Sequence, residues 1–198
     1  MSTGNFGGSI NVLELNPEGD VWNLKSQTKV DPQYFGMGLT TVGMDTYMVT
    51  WKAQKVLKYN LDDLMAFDDR ENADNTASGA AAAAGDGTLT EAEPEILDLP
   101  SSMKQGWGLS HDDLHGKLYI SDGTDSIKIV DPRTMETTNR IRVRDEHGDE
   151  PILNLNELEV VDDKWIFANQ FTENMVYQIR ISTGRVVRSW DLSALQWR

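Results

Sequence analysis

Apolar and polar residues alternate in short runs along most of this chain, and one alternating pattern occurs four times. The copies are residues 8–15, 54–61, 125–131 and 174–181, with Ile10, Val56, Ile127 and Val176 at matched positions. Alternation with a period of two marks strands, and Gly, Asp and Pro between the runs mark turns. The matched positions lie 46, 71 and 49 residues apart. The long interval contains a stretch of different composition, residues 68–95, and without it the three spacings are alike. A repeat of about 40–50 residues built from short strands predicts an all-β fold, a β-propeller with one four-stranded blade per repeat. Binding is then expected at the central channel, where the blades converge.

One repeat reads strand by strand. Residues 106–110 form a Gly-rich entry, and a hairpin turns through His111 to Gly116. Residues 117–121 alternate, Asp122-Gly123-Thr124 turn, and 126–131 form the third strand. Pro132-Arg133-Thr134 make the next turn, before an outer strand at 138–143. Residues 61–67 are predicted to hold no more than a helical turn. Residues 68–95 are rich in Ala, Asp, Asn, Gly and Glu, with Ala80 to Ala84 consecutive. So few large apolar side chains predict a disordered insertion in a blade's outer hairpin, with an Ala-rich helix as the alternative.

The entry pattern occurs three times, at 35–40, 106–110 and 155–159, against four third strands. Residues 1–198 are therefore expected to form a single partial propeller domain of about three and a half to four blades. The chain would start partway through one blade and stop at an outer strand near 186–192. Propellers close on themselves to remove exposed edges. The expectation is a fragment of a longer protein, without a first hairpin and at least one final blade.

Net charge is −14 over 198 residues. Nucleic acid and anionic membrane surfaces would both repel such a chain, so neither is an expected partner. Arg140, Arg142 and Arg144 alternate, as on one solvent face of a strand. No run of 18 apolar residues suggests a membrane span, and no signal-peptide pattern is visible. Cysteine is absent, which excludes disulfides and thiolate chemistry. His111 and His115 flank a hairpin turn and His147 sits in an acidic loop, so surface turns are the better reading than a metal site. Neither a nucleophile elbow nor a phosphate-cradling loop occurs. No cofactor or metal is expected.

The ordered motifs resemble one family. They are Ser2-Thr3-Gly4, Tyr34-Phe35-Gly36-x-Gly38-Leu39-Thr40, Gly106-Trp107-Gly108-Leu109, Leu118-Tyr119-x-Ser121-Asp122-Gly123-Thr124, Leu155-Asn156-Glu157-Leu158-Glu159 and Ala168-Asn169. In order and spacing they are similar to the plant and bacterial type of glutaminyl-peptide cyclotransferase (glutamine cyclotransferase), a five-bladed propeller. The resemblance covers Ser2 to about Leu195 and is interrupted by the 68–95 insertion. It implies an acyltransferase that closes an N-terminal glutamine of a peptide to pyroglutamate and releases ammonia. Partners would be peptides or proteins with N-terminal glutamine, the chain a monomer, and the location extracytoplasmic or in the secretory pathway. Such a reaction needs a folded-back substrate, stabilised charge on the amide oxygen and a route for one proton.

Candidate residues follow, each with a structural alternative. Leu155 and Leu158 suit a core, so Asn156 and Glu157 between them either hydrogen-bond neighbouring blades or act on substrate. The resemblance implies that Asn156 lines the pocket, and Glu157 is the candidate carboxylate beside it. Trp51 and Trp107 are core side chains by default; the resemblance makes them walls of a substrate cage. Phe171 falls where the family has a third tryptophan. Phe35 and Asn169 belong to the same motifs. Met37 stands where the family's Phe-Gly-Glu-Gly motif has glutamate, and methionine cannot move a proton. The competing reading is therefore a non-catalytic peptide-binding propeller descended from the enzyme. A lactonase-like metal propeller would need clustered Asp, Glu and Asn on inner strands, which are not found at matching positions.

Overall fold

The computed structural model describes residues 8–65, 88–90 and 92–195. β1 (Gly8–Leu15) and β2 (Trp22–Val30) form an antiparallel pair. β3 (Gly36–Val42), β4 (Asp45–Thr50) and β5 (Lys55–Asn60) follow as a meander, and α1 (Leu61–Met65) is the short helical segment expected there. β6 (Thr88–Thr90) lies parallel to β2, while β7 (Glu95–Asp98) completes the sheet β3-β4-β5-β7. β8 (Leu109–His111), β9 (Leu118–Ile120), β10 (Ser126–Val130) and β11 (Thr137–Arg142) make the next four-stranded meander. β12 (Leu155–Val161), β13 (Trp165–Gln170), β14 (Met175–Arg180) and β15 (Val186–Asp191) make the last. The four repeated patterns are β1, β5, β10 and β14. Three of these are third strands, as the periodicity predicts. Most of the 68–95 stretch lies outside the described residues; β6 and the start of β7 are its described end.

Side-chain alternation explains the stacking. Successive residues of a strand point to opposite faces of its sheet. β4 sends Tyr47 and Val49 to the core shared with the third blade, and Met48 to the core shared with the first. β9 sends Leu118 and Ile120 back toward the second blade and Tyr119 forward to the fourth. Val49, Leu118, Ile120, Ile166 and Ile179 are fully buried. Each stabilises by about 1.5–3 kcal/mol relative to exposure. A strand buried on both faces belongs to a blade between two others, which is the arrangement of a propeller.

The first strands β3, β8 and β12 lie side by side at the hub. Their backbones approach so closely that two positions admit only glycine. A Cβ on Gly38 would lie 2.3 Å from the Leu109 nitrogen, and one on Gly108 would lie 1.9 Å from the Asn156 carbonyl oxygen. The Gly38 N–H donates to the Trp107 carbonyl at 2.7 Å, stitching the second blade to the third. The Gly-x-Gly and Gly-Trp-Gly motifs are thus packing devices first.

Overfilling this hub has a measurable consequence. Gly108→Ala is expected to lower unfolding free energy by about 3 kcal/mol or more in urea denaturation. Gly8→Ala, where a Cβ meets nothing within 4 Å, should be neutral or stabilise by about 0.4–1 kcal/mol. Equal effects at the two sites would contradict the hub geometry.

Candidate active site

Entry residues of three blades, together with residues just past two second strands, meet at one end of the hub. Phe35 precedes β3 and Met37 lies within it; Trp51 follows β4; Trp107 precedes β8; Asn156 lies in β12; Phe171 follows β13. Together these six line a pocket of about 310 Å3 whose accessible wall is apolar. Phe35 and Trp51 meet edge to face, centroids 5.9 Å apart, and Trp107 and Phe171 do so at 5.5 Å. Edge-to-face pairs favour such placement because each ring's positive edge faces its partner's negative face. A larger hollow, about 590 Å3, lies beside β2 and β5 around Tyr34 and Tyr59. It is away from the converging inner strands and brings together none of the sequence candidates.

Backbone hydrogen bonds fix the walls. The Trp51 N–H donates to the Phe35 carbonyl at 3.0 Å, and the Phe171 N–H to the Asn154 carbonyl at 2.8 Å. Asn154 itself donates to the Gly123 carbonyl at 2.9 Å and adopts φ of 59°. Gly123, at φ of 80°, lies under the Trp107 indole, where a Cβ would come within 2.7 Å of the ring. Only glycine satisfies both that backbone and that contact. Neither Asn154 nor Gly123 was a site candidate from sequence. Their part depends on contacts between blades, which a linear pattern does not display.

Two buried polar atoms at this site have no hydrogen-bond partner: Trp107 Nε1 and Asn156 Oδ1. An unpartnered buried donor or acceptor costs about 1–3 kcal/mol. One is a donor and the other an acceptor, and both belong to side chains that line the pocket.

The family model described as glutamine cyclotransferase matches residues 1–89 and 93–198. The chain belongs to the glutamine cyclotransferase family. It is 28% identical over 165 residues to the glutaminyl-peptide cyclotransferase of Arabidopsis thaliana, covering 83% of this chain and 40% of that protein. The fold is similar to that of Myxococcus xanthus glutaminyl cyclase, with a TM-score of 0.60 and 22% identity over 89% of this chain and 65% of that one. A nidogen/laminin complex is also similar in fold, with a TM-score of 0.51 and 12% identity over 87% of this chain and 52% of that one. The chain therefore spans well under two thirds of the length of its curated relative.

Within this cyclotransferase-family blade set, the remaining candidates stand beside the pocket. Asn169 Oδ1 accepts the Glu157 N–H at 2.8 Å, so Asn169 holds the strand that carries Asn156. Neither Glu157 nor Asn169 is among the lining residues. Met37 lines the pocket and also packs against the core shared by the second and third blades. Glu157 is exposed by surface area, yet protein crowds one side of its carboxyl. That loss of hydration raises its pKa above the usual carboxylate value.

The raised pKa fixes a sign. A carboxyl whose folded-state pKa exceeds its unfolded value favours the folded state at low pH, and that contribution is lost as pH rises through the folded pKa. Glu157→Gln should therefore be more stable than the parent sequence at pH 7. The difference should vanish near pH 3.5, as read from paired urea denaturation curves. A gain independent of pH, or a loss at pH 7, would contradict the crowding of this carboxyl.

Proposed function

We propose that the protein is a glutaminyl-peptide cyclotransferase acting in the pocket between Trp51, Trp107 and Asn156. The single observation behind this reading is the convergence of four aromatic side chains and one asparagine, from three blades, on a cavity of about 310 Å3. Family membership supports the same reading. In the reaction, the substrate's α-amine nitrogen attacks the Cδ carbonyl carbon of its own glutamine side chain. The new N–Cδ bond closes the lactam, the Cδ–Nε2 bond breaks, and one proton passes from the amine to the departing nitrogen as ammonia leaves.

The residues divide the work by chemistry. Aromatic walls hold the apolar part of the side chain in its folded-back form and exclude water. Asn156 lines the pocket, and its buried, unpartnered Oδ1 can meet the substrate's amide once the side chain turns toward it. Among the described residues none that lines the pocket is titratable. The substrate's own amine, with an ordinary pKa of about 7.7–8, is partly neutral at pH 7 and serves as nucleophile without a base in the wall. Glu157, one residue from Asn156 and raised in pKa, is the nearest candidate proton carrier on β12.

Met37 in the wall favours a second reading, a propeller that binds peptides without turnover. The two readings predict different outcomes. As an enzyme, the protein releases ammonia from a Gln-initiated dipeptide faster than buffer does, and Asn156→Ala lowers kcat/KM by about 100-fold or more. Met37→Glu should raise kcat/KM further, within the 10²–10⁴-fold range of about one general acid–base group. Ammonia release confined to the Met37→Glu variant would establish the binder; none in either would reject cyclotransferase chemistry at this pocket.

A further inference from the structure

Asn156 and the indole of Trp107, both lining the pocket, come from neighbouring blades. The backbones of both are hydrogen-bonded by one residue. Ser121, just past β9, is 1% exposed. Its backbone carbonyl accepts the Trp107 N–H at 3.0 Å, and its own N–H donates to the Gly108 carbonyl at 3.1 Å. Its hydroxyl oxygen accepts the Gly108 N–H at 2.8 Å and donates to the Asn156 carbonyl at 2.7 Å. Every polar group of Ser121 is thereby engaged with the backbone of Trp107, Gly108 or Asn156.

The hydroxyl is the feature that matters. A backbone pair between β8 and β9 would form with any residue at this position. The link from the third blade to the Asn156 backbone needs a side-chain donor of serine length. Gly108 lies between them, and its missing Cβ leaves the space that this contact occupies. Two residues on, Gly123 supports the Trp107 indole and, through Asn154, the Phe171 backbone. One corner of β9 thus frames three of the six lining residues.

We propose that Ser121 is a positioning residue: its hydroxyl sets the distance and orientation of Asn156 relative to Trp107, and hence the geometry offered to the substrate amide. This rests on the cyclotransferase reading only for its catalytic consequence; the placement itself is independent of turnover. Loss of the hydroxyl leaves the Asn156 carbonyl and the Gly108 N–H to find new partners, and β12 shifts against β8. A displacement of about 1 Å at a reacting centre lowers rate by up to about 100-fold.

The test compares Ser121→Ala and Ser121→Thr with Val130→Ala, a core truncation in the same blade that lowers stability without removing a hub hydrogen bond. Indole N–H and side-chain amide resonances of Trp107 and Asn156 are read by 15N NMR, assigned through Trp107→Phe and Asn156→Asp. The expected result is that Ser121→Ala moves both resonances, Ser121→Thr restores them and Val130→Ala leaves both in place. With a Gln-initiated dipeptide, Ser121→Ala should lower kcat about 10- to 100-fold while KM changes by less than about threefold. Unmoved resonances in Ser121→Ala, or equal movement in Val130→Ala, would overturn the assignment. If Ser121→Ala does not fold, Ser121→Cys carries the comparison, since it fills the site with a weaker hydrogen-bonding group and meets no other cysteine in the chain. Absence of turnover in the unsubstituted protein would count against the cyclotransferase reading alone, because the resonances still decide the role of Ser121.

Discussion

The close approach of three first strands at the hub is the constraint on which the rest of this structure depends. At Gly38 and Gly108 the neighbouring backbone occupies the space a Cβ would take. Strands this close leave little room for side chains between them, so the hub is packed backbone and the cavity forms at its end. There the chain enters each blade through residues just before or within the first strand. Large side chains at those positions, Phe35, Trp107 and their neighbours, can only converge over the hub. The pocket follows from the packing rather than from any element dedicated to it.

A second consequence concerns polarity. Interiors of close-packed blades tolerate polar groups only when these are bonded or paired. Lys128 and Asp122 illustrate the rule in the third blade: both side chains are about nine-tenths buried and their charges meet at 2.6 Å. Asp112, also buried, accepts the backbone N–H groups of His115 and Lys117 and the Tyr119 hydroxyl. Against that background the unpartnered Trp107 Nε1 and Asn156 Oδ1 are exceptions, and both belong to residues of the pocket. Structural polar groups here find partners, whereas those at the pocket keep a donor and an acceptor in reserve.

Much of the fold was legible because a blade writes its period into the chain. Ile10, Val56, Ile127 and Val176 mark β1, β5, β10 and β14, and the turns fall where Gly, Asp and Pro cluster. The parallel pairing of β6 with β2 was not legible, since Thr88–Thr90 sits in a stretch without alternation and its partner is far away in sequence. At the site, the aromatic residues stood out by size and motif, and Asn156 by its place between two buried leucines. Ser121 and Gly123 stood in a motif but without a role at the site, and Asn154 stood in none. A hydroxyl that bridges blades looks, in one dimension, like any serine ending a strand, and a left-handed asparagine looks like any loop residue.

Charge decides how such a pocket treats its ligand. An ammonium brought into an apolar wall loses hydration, and without a carboxylate among the lining residues only ring faces and one carboxamide offset that loss. The neutral amine enters at smaller cost and is also the nucleophilic form. With glutamate at position 37 the balance would tip toward the ammonium, held as an ion pair and deprotonated in place. With Met37, the proposed reaction would favour a substrate amine that has already lost its proton to water. Under the cyclotransferase proposal, pocket shape and protonation state then become one selection: ring faces and a carboxamide offset only part of the ammonium's lost hydration, so the wall favours the neutral, reactive amine.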